Sequence, residues 1–225
     1  MSDQMDIELF VKASTDGKGL GDCPFSHRIQ MILYLKGLQY KLIPVNMKIK
    51  PRDFLDISPA GKVPVLTHDG GRMDDSTAIA EYLETTFPEP KLRADNALAD
   101  NAGDRLFHKF AAVLKNRDAS AEEGLKNALL GELRKLNSFL AKSPGIFLDG
   151  DTLKLPDCNL LPKLYHLKVA AKHFKDFEIP EELEELNKYM ETAFETEVFN
   201  ITKYPESEII NGWADHLGIP VKRRR

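Results

Sequence analysis

The chain has 225 residues, enough to bury a core without disulfide or metal staples. With 31 basic and 35 acidic side chains its net charge is −4, a poor field for nucleic acid, and its two cysteines exclude a disulfide scaffold or a multi-cysteine zinc site. Hydrophobic and charged fractions of 42% and 29% are globular values, which set aside disorder, collagen and coiled coil as the main state.

No stretch reaches the ~18 consecutive apolar residues of a membrane helix. The best run, Ile29 to Leu35, is broken by Gln30 and closed by Lys36. The acidic start MSDQMDIELF has neither a signal-peptide core nor the Arg/Ser-rich character of a transit segment. These features predict a cytoplasmic protein in a reducing compartment, with no nucleic-acid partner and no membrane span. The basic run Lys222 to Arg225 reads as a nuclear-localisation-like patch or, more simply, as a solvated tail.

In chain order, Ile7 to Val11 is a β-prone run followed by a loop carrying Gly17, Gly19 and Gly21. From Pro24 to Lys36 apolar residues fall on two stripes, Phe25, Ile29, Ile32 and Leu33 on one and Met31 and Leu35 on the other, which predicts a helix buried between layers. Gly37 stands at its stop. A second strand is predicted at Tyr40 to Val45, a short helix at Pro51 to Ile57, a third strand at Lys62 to Thr67, a turn at Gly70-Gly71, a fourth short strand near Met73 and a helix at Ser76 to Phe87. Proline normally demotes a strand to an edge or a bulge; one physical solution here is a cis Val63-Pro64 peptide, a tight turn that leaves the following residues free to pair.

The order β-α-β-α-β-β-α predicts a small mixed sheet covered by helices, residues 1–88. Residues 89–95, rich in proline and charge, read as a linker. Residues 96–219 read as all-helical, with helices near Ala99 to Asn116, Ala121 to Ala141, Asp157 to Phe174, Pro180 to Ala193 and Glu206 to Leu217.

Cys23 is the most informative residue. In Gly21-Asp22-Cys23-Pro24-Phe25-Ser26-His27-Arg28, Pro24 suits the first helical position, so Cys23 becomes the N-cap or its neighbour. Helix-start amides and the helix dipole stabilise a thiolate, so a depressed thiol pKa is expected there, helped by Lys12 if it lies near and opposed by Asp22. Ser26 stands where a dithiol enzyme has its resolving cysteine, so resolution must come from an external thiol. Cys158, at a buried helix start, reads as structural. The residue before a cis-proline offers its backbone to an extended peptide, which singles out Val63. Asp75 and Ser76 open the next helix, where capping and binding of a charged ligand are compatible roles.

On GDCPFSHR (21–28), FLDISPAGKVPV (54–65), DDSTAI (74–79), FPEPKL (87–92), PKLYHLKVAAKHFKDFEIPE (162–181) and NGWAD around Trp213, the chain resembles the glutathione transferase superfamily, and within it the plant-type dehydroascorbate reductases. The resemblance runs nearly end to end. It implies a thioredoxin-like first domain with a four-stranded mixed sheet and an all-helical second domain. It implies Cys23 as nucleophile, glutathione contacts from Lys50, Val63, Asp75 and Ser76, and a dehydroascorbate pocket lined by Lys12 and Asp22. Asp22 is also a candidate catalytic group, as orienter or proton shuttle. No bound cofactor or metal is implied; glutathione serves as co-substrate, dehydroascorbate as substrate, and the chain is expected to be a monomer. The superfamily carries Ser or Thr three residues before Asp157 as half of a capping box; here that position is Lys154. His166 either faces the cleft or packs in the core. Two other readings stand beside this one. One is a protein like the chloride intracellular channels, whose CPFS and DCNLLPKL motifs are similar, inserting a segment from about Pro24 to Val45 when oxidised. The other is a conventional transferase that activates glutathione with Tyr or Ser.

Overall fold

The structure, a computed structural model, describes residues 6–220. The basic run Lys222 to Arg225 lies outside the described residues. The chain divides into two compact units: the first extends to Leu92 and takes back Val198–Glu208, and the second comprises Arg93–Glu197 and the chain from Ile209 onward.

The first unit is built on a four-stranded sheet, β1 (Glu8–Lys12), β2 (Lys41–Val45), β3 (Val65–His68) and β4 (Gly71–Met73), in the order β2-β1-β3-β4. β1 pairs in parallel with β2 and antiparallel with β3, and β3 pairs antiparallel with β4, so the sheet is mixed as expected. The helices are α1 (Pro24–Leu35), α2 (Arg52–Ile57) and α3 (Ser76–Thr86). Strand alternation divides β1 between two cores. Phe10 packs with Val45, Phe54 and Val65, whereas Leu9 and Val11, of opposite parity, are fully buried on the other face. α1 packs on β1 and against α3, and its Ile29, Met31, Ile32 and Leu33 are all buried, as the two-stripe pattern predicts for a helix between layers, whereas Phe25 of the first stripe is exposed in the first turn. The Val63–Pro64 peptide is cis and delivers the chain into β3; Glu89–Pro90 is a second cis bond that the sequence did not signal.

The proline-rich stretch read as a linker is firmly anchored over its first half. The buried Lys36 ammonium pairs with Glu84 at 2.8 Å and donates to the carbonyls of Phe87 (2.7 Å) and Pro90 (3.1 Å). Glu84 also accepts from the Leu92 amide at 3.0 Å, and the Leu92 side chain is buried.

The second unit is helical: α4 (Leu106–Lys115), α5 (Ala119–Leu140), α6 (Leu155–His166), a π turn at Leu167–Ala171, α7 (Lys172–Lys175) and α8 (Glu184–Glu195). α9 (Glu197–Thr202) and α10 (Glu206–Leu217) follow. The single helix expected from Ala99 begins instead as a 3-10 turn at Ala99–Asn101 and restarts at Leu106, because Gly103 adopts φ +77° between them. α10 matches its sequence signal residue for residue. α9 has only six residues, too few for a periodic signal, and was not anticipated.

Lys154 has no lone pair to offer the α6 amides, and its ammonium turns away to Asp149 (2.8 Å) and Asp95 (3.1 Å). The buried Asp157 carries the helix start alone, accepting from the amides of Lys154 (2.9 Å) and Leu148 (3.1 Å) and from the Tyr189 hydroxyl (3.0 Å). Burial pushes the Asp157 carboxyl above its ordinary range, against the pull of those donors. Cys158 is fully buried beside it. His166 is a core residue: its Nδ1 accepts from the Trp213 indole at 3.0 Å. Among the described residues no helix is long and apolar enough to cross a membrane.

Candidate active site

Cys23 is the N-cap of α1, and Pro24 occupies the first turn. Its sulfur accepts from the Ser26 amide at 3.4 Å and points its thiol at the Val63 carbonyl, 3.9 Å away across the cis-proline turn. The approach to Cys23 is tight. Gly21 donates to the Lys12 carbonyl at 2.7 Å, and a Cβ on Gly21 would fall 2.3 Å from the Ala13 carbonyl oxygen, so only glycine fits. Beside the sulfur in sequence, Asp22 is 6% exposed and forms an ion pair with Lys12 at 2.5 Å.

Val63 is held by its own loop. The buried Ser58 hydroxyl donates to the Lys62 carbonyl and accepts from the Lys62 amide, both at 3.1 Å, which fixes the residue before Val63. Lys50 is exposed and lies across Gly61, where an added Cβ would meet its Nζ at 2.8 Å, so its ammonium sits on the same loop. At the start of α3, Asp75 is the N-cap, its Oδ1 accepting from the Thr77 and Ala78 amides at 2.9 Å. Ser76 is the first residue of that helix and is buried. Arg28, not singled out from sequence, bridges from α1 to α3 by donating to Thr77 Oγ1 at 3.2 Å. The structure thus puts Cys23 against Val63, Lys12 against Asp22 and Lys50 over the 58–63 loop, and ties α1 to the Asp75–Ser76 turn.

The thiol departs from the sequence expectation. Burial pushes Cys23 above its ordinary value, and the neighbouring Asp22 charge acts in the same direction. The Ser26 hydroxyl and amide and the Phe25 amide pull it down without cancelling that cost. The helix start does contribute, then, but the half-buried sulfur is desolvated, and Lys12 is committed to Asp22. Iodoacetamide alkylation of the ligand-free protein is expected to give an apparent pKa at or above that of a free thiol; a value near 6 would show that the helix start dominates.

His27, fully buried one turn into α1, was missed as a support. Its Nε2 lies 3.0 Å from Thr202 Oγ1. That hydroxyl donates to the Val198 carbonyl at 2.6 Å, so its lone pairs face the ring and His27 donates from Nε2. Nδ1 is buried with no hydrogen-bond partner among the described residues. Burial lowers the His27 pKa from 6.5 to about 3. The native state therefore holds the neutral ring while the unfolded chain binds a proton below pH 6.5. The stabilisation is complete above pH 6.5 and is lost as pH falls toward 3, at up to ~1.4 kcal/mol per pH unit. Urea unfolding is expected to show about 2 kcal/mol less stability from this residue at pH 5 than at pH 6.5. A His27→Gln variant should lack that part of the pH dependence.

Comparison with known proteins accords with this geometry. Residues 5–90 match the family described as CLIC-like N-terminal domain, and residues 118–192 match that described as Glutathione S-transferase, C-terminal domain. The two matches in that order define the class, a glutathione transferase fold. Over 214 residues the chain is 39% identical to Glutathione S-transferase DHAR2 of Arabidopsis thaliana, covering 95% of this chain and 99% of that protein. The crystal structure of Chlamydomonas reinhardtii dehydroascorbate reductase is similar at a TM-score of 0.85 and 33% identity, over 95% of this chain and 99% of that one. The chain belongs to the dehydroascorbate-reductase family of glutathione S-transferases. The CLIC homologue EXC-4 from C. elegans has the same TM-score of 0.85 at 20% identity, over 98% of this chain and 89% of that one, a likeness of fold alone.

Proposed function

We propose that this protein reduces dehydroascorbate to ascorbate at the expense of two glutathiones. The observation that carries the reading is the placement of a single accessible thiol, Cys23, at a helix start between the Lys12–Asp22 pair and the Val63 backbone. The other cysteine, Cys158, is fully buried in α6. A lone thiol must complete its redox cycle with thiols from solution.

In the first half-reaction the Cys23 thiolate gives two electrons to the dicarbonyl. With one water consumed and no net proton taken up, dehydroascorbate leaves as the ascorbate monoanion and Cys23 becomes a sulfenic acid. Lys12 and Asp22 bind the substrate; Lys12 neutralises charge growing on its oxygens and Asp22 orients its hydroxyls or carries the proton. Glutathione then condenses with the sulfenic acid, expelling water and leaving a mixed disulfide. A second glutathione thiolate attacks that disulfide, releases glutathione disulfide and regenerates the Cys23 thiolate.

Glutathione lies along the Val63 backbone as a short added strand, with Lys50 at its glycine carboxylate and Asp75, Ser76 and the α3 amides at its γ-glutamyl end. This places its sulfur at Cys23. Because the resting thiol is raised, ionisation belongs to the liganded enzyme, where a substrate that draws Lys12 away from Asp22 frees its charge for the sulfur. The chain acts as a monomer in the reducing cytoplasm, without a bound cofactor. Mass spectrometry of protein treated with dehydroascorbate alone should find one added oxygen on Cys23, and one glutathione in its place after a single equivalent of that thiol. Absence of both adducts, with no turnover, would overturn the reading. Liposome conductance assayed in parallel tests the channel-like alternative.

A further inference from the structure

The segment Val198–Glu208 packs with the first unit and meets the catalytic loop on both sides of Cys23. Downstream of the cysteine, the His27 ring is held by Thr202 and lies against Phe199 (centroids 5.0 Å) and Tyr204 (5.5 Å). Upstream, the Glu208 carboxylate takes both donors of Thr15, the amide at 2.9 Å and the hydroxyl at 2.7 Å.

Thr15 sits in a loop tied together by its own hydrogen bonds. An Ala13–Leu20 bridge closes its base, Ser14 and Gly19 bond to each other through Ser14 N to Gly19 O (2.9 Å) and Gly19 N to Ser14 Oγ (2.7 Å), and Asp16 accepts from Lys18 N at 2.9 Å. The loop leaves the sheet at Lys12 and reaches the start of α1 through Asp22, and Lys12 and Asp22 form the ion pair next to the cysteine. Holding its tip therefore holds that pair in register with the sulfur.

We infer that Glu208, 185 residues beyond Cys23 in sequence, is a positioning residue for the dehydroascorbate half of the reaction, acting through Thr15 on the Lys12–Asp22 pair. The inference rests on the proposed pocket at Lys12 and Asp22. None of the glutathione contacts lies in this loop, so the effect is selective.

Glu208→Gln and Thr15→Val are each expected to raise the dehydroascorbate KM about three- to tenfold, the scale of one or two exposed charge-assisted hydrogen bonds, and to leave the glutathione KM unchanged. The double variant should be no worse than the more affected single one. Glu206→Gln is the control: Glu206 shares the first turn of α10 with Glu208. If Glu208 serves only the helix dipole, the two Gln variants will behave alike, with unchanged KM values and a small loss of Tm. Amide exchange at Thr15 reads the clamp without turnover and should accelerate in Glu208→Gln alone of the two. An unchanged dehydroascorbate KM, an equal rise in both KM values, or unaltered exchange overturns the inference. Normal exchange effects in a wild-type protein that cannot reduce dehydroascorbate would instead overturn the pocket on which it rests.

Discussion

Cys23→Ser is expected to reduce turnover by at least about a thousandfold while leaving the fold intact. A hydroxyl has no accessible anion near neutral pH and forms neither a sulfenic acid nor a disulfide, so both half-reactions fail at once. The fold should not suffer, because Cys23 serves structurally as the N-cap of α1 and accepts from the Ser26 amide. Serine is a stronger N-cap, so Tm should hold or rise. Cys158→Ser separates chemistry from packing: it places a hydroxyl at a fully buried site and should cost about 1–3 kcal/mol of stability. Activity per folded molecule should remain close to wild type. Steady-state rates and thermal melts on the two variants decide the matter; retained turnover in Cys23→Ser would sink the assignment.

Asp75→Asn should raise the glutathione KM about ten- to a hundredfold, the cost of about 1.5–3 kcal/mol for losing a charged hydrogen bond. The dehydroascorbate KM should not move. Asparagine keeps the oxygen that accepts from Thr77 and Ala78, so the α3 cap survives and only the charge proposed to meet the γ-glutamyl ammonium is lost. Asp75→Ala removes the cap as well and should add about 1 kcal/mol of instability to the same kinetic defect. Kinetics showing an unchanged glutathione KM and a raised dehydroascorbate KM in Asp75→Asn would reverse the assigned docking, even with Cys23 as the nucleophile.

Local signals carried far in this chain. The helix start at Cys23-Pro24, the turn at Val63-Pro64, the cap at Asp75 and the boundaries of α10 are all written within a few residues, and these are the features that chemistry and periodicity expose. Other features depended on partners distant in sequence. Desolvation of the Cys23 sulfur and the commitment of Lys12 to Asp22 reverse the expected direction of the thiol, and neither is visible along the chain. His27 reads as a surface-capable residue until Thr202, Phe199 and Tyr204 close over it. The support of the α6 start around Lys154 is equally hidden, because the Tyr189 hydroxyl and the Leu148 amide, which complete the shell of Asp157, come from other segments. Gly103 could have been weighed as a break within the predicted Ala99 helix, since glycine in mid-helix carries its own warning.

The chain's only tryptophan is Trp213, buried in the helical unit with its indole N–H on His166 and its ring edge-on to Phe110 at 5.1 Å. Intrinsic fluorescence excited at the indole band therefore watches one unit and is blind to the sheet that carries Cys23. Amide exchange in β1 and β3 watches the other. Followed along one denaturant series, the two signals form a pair of independent probes, and their coincidence or separation reports whether the molecule melts as a single cooperative body.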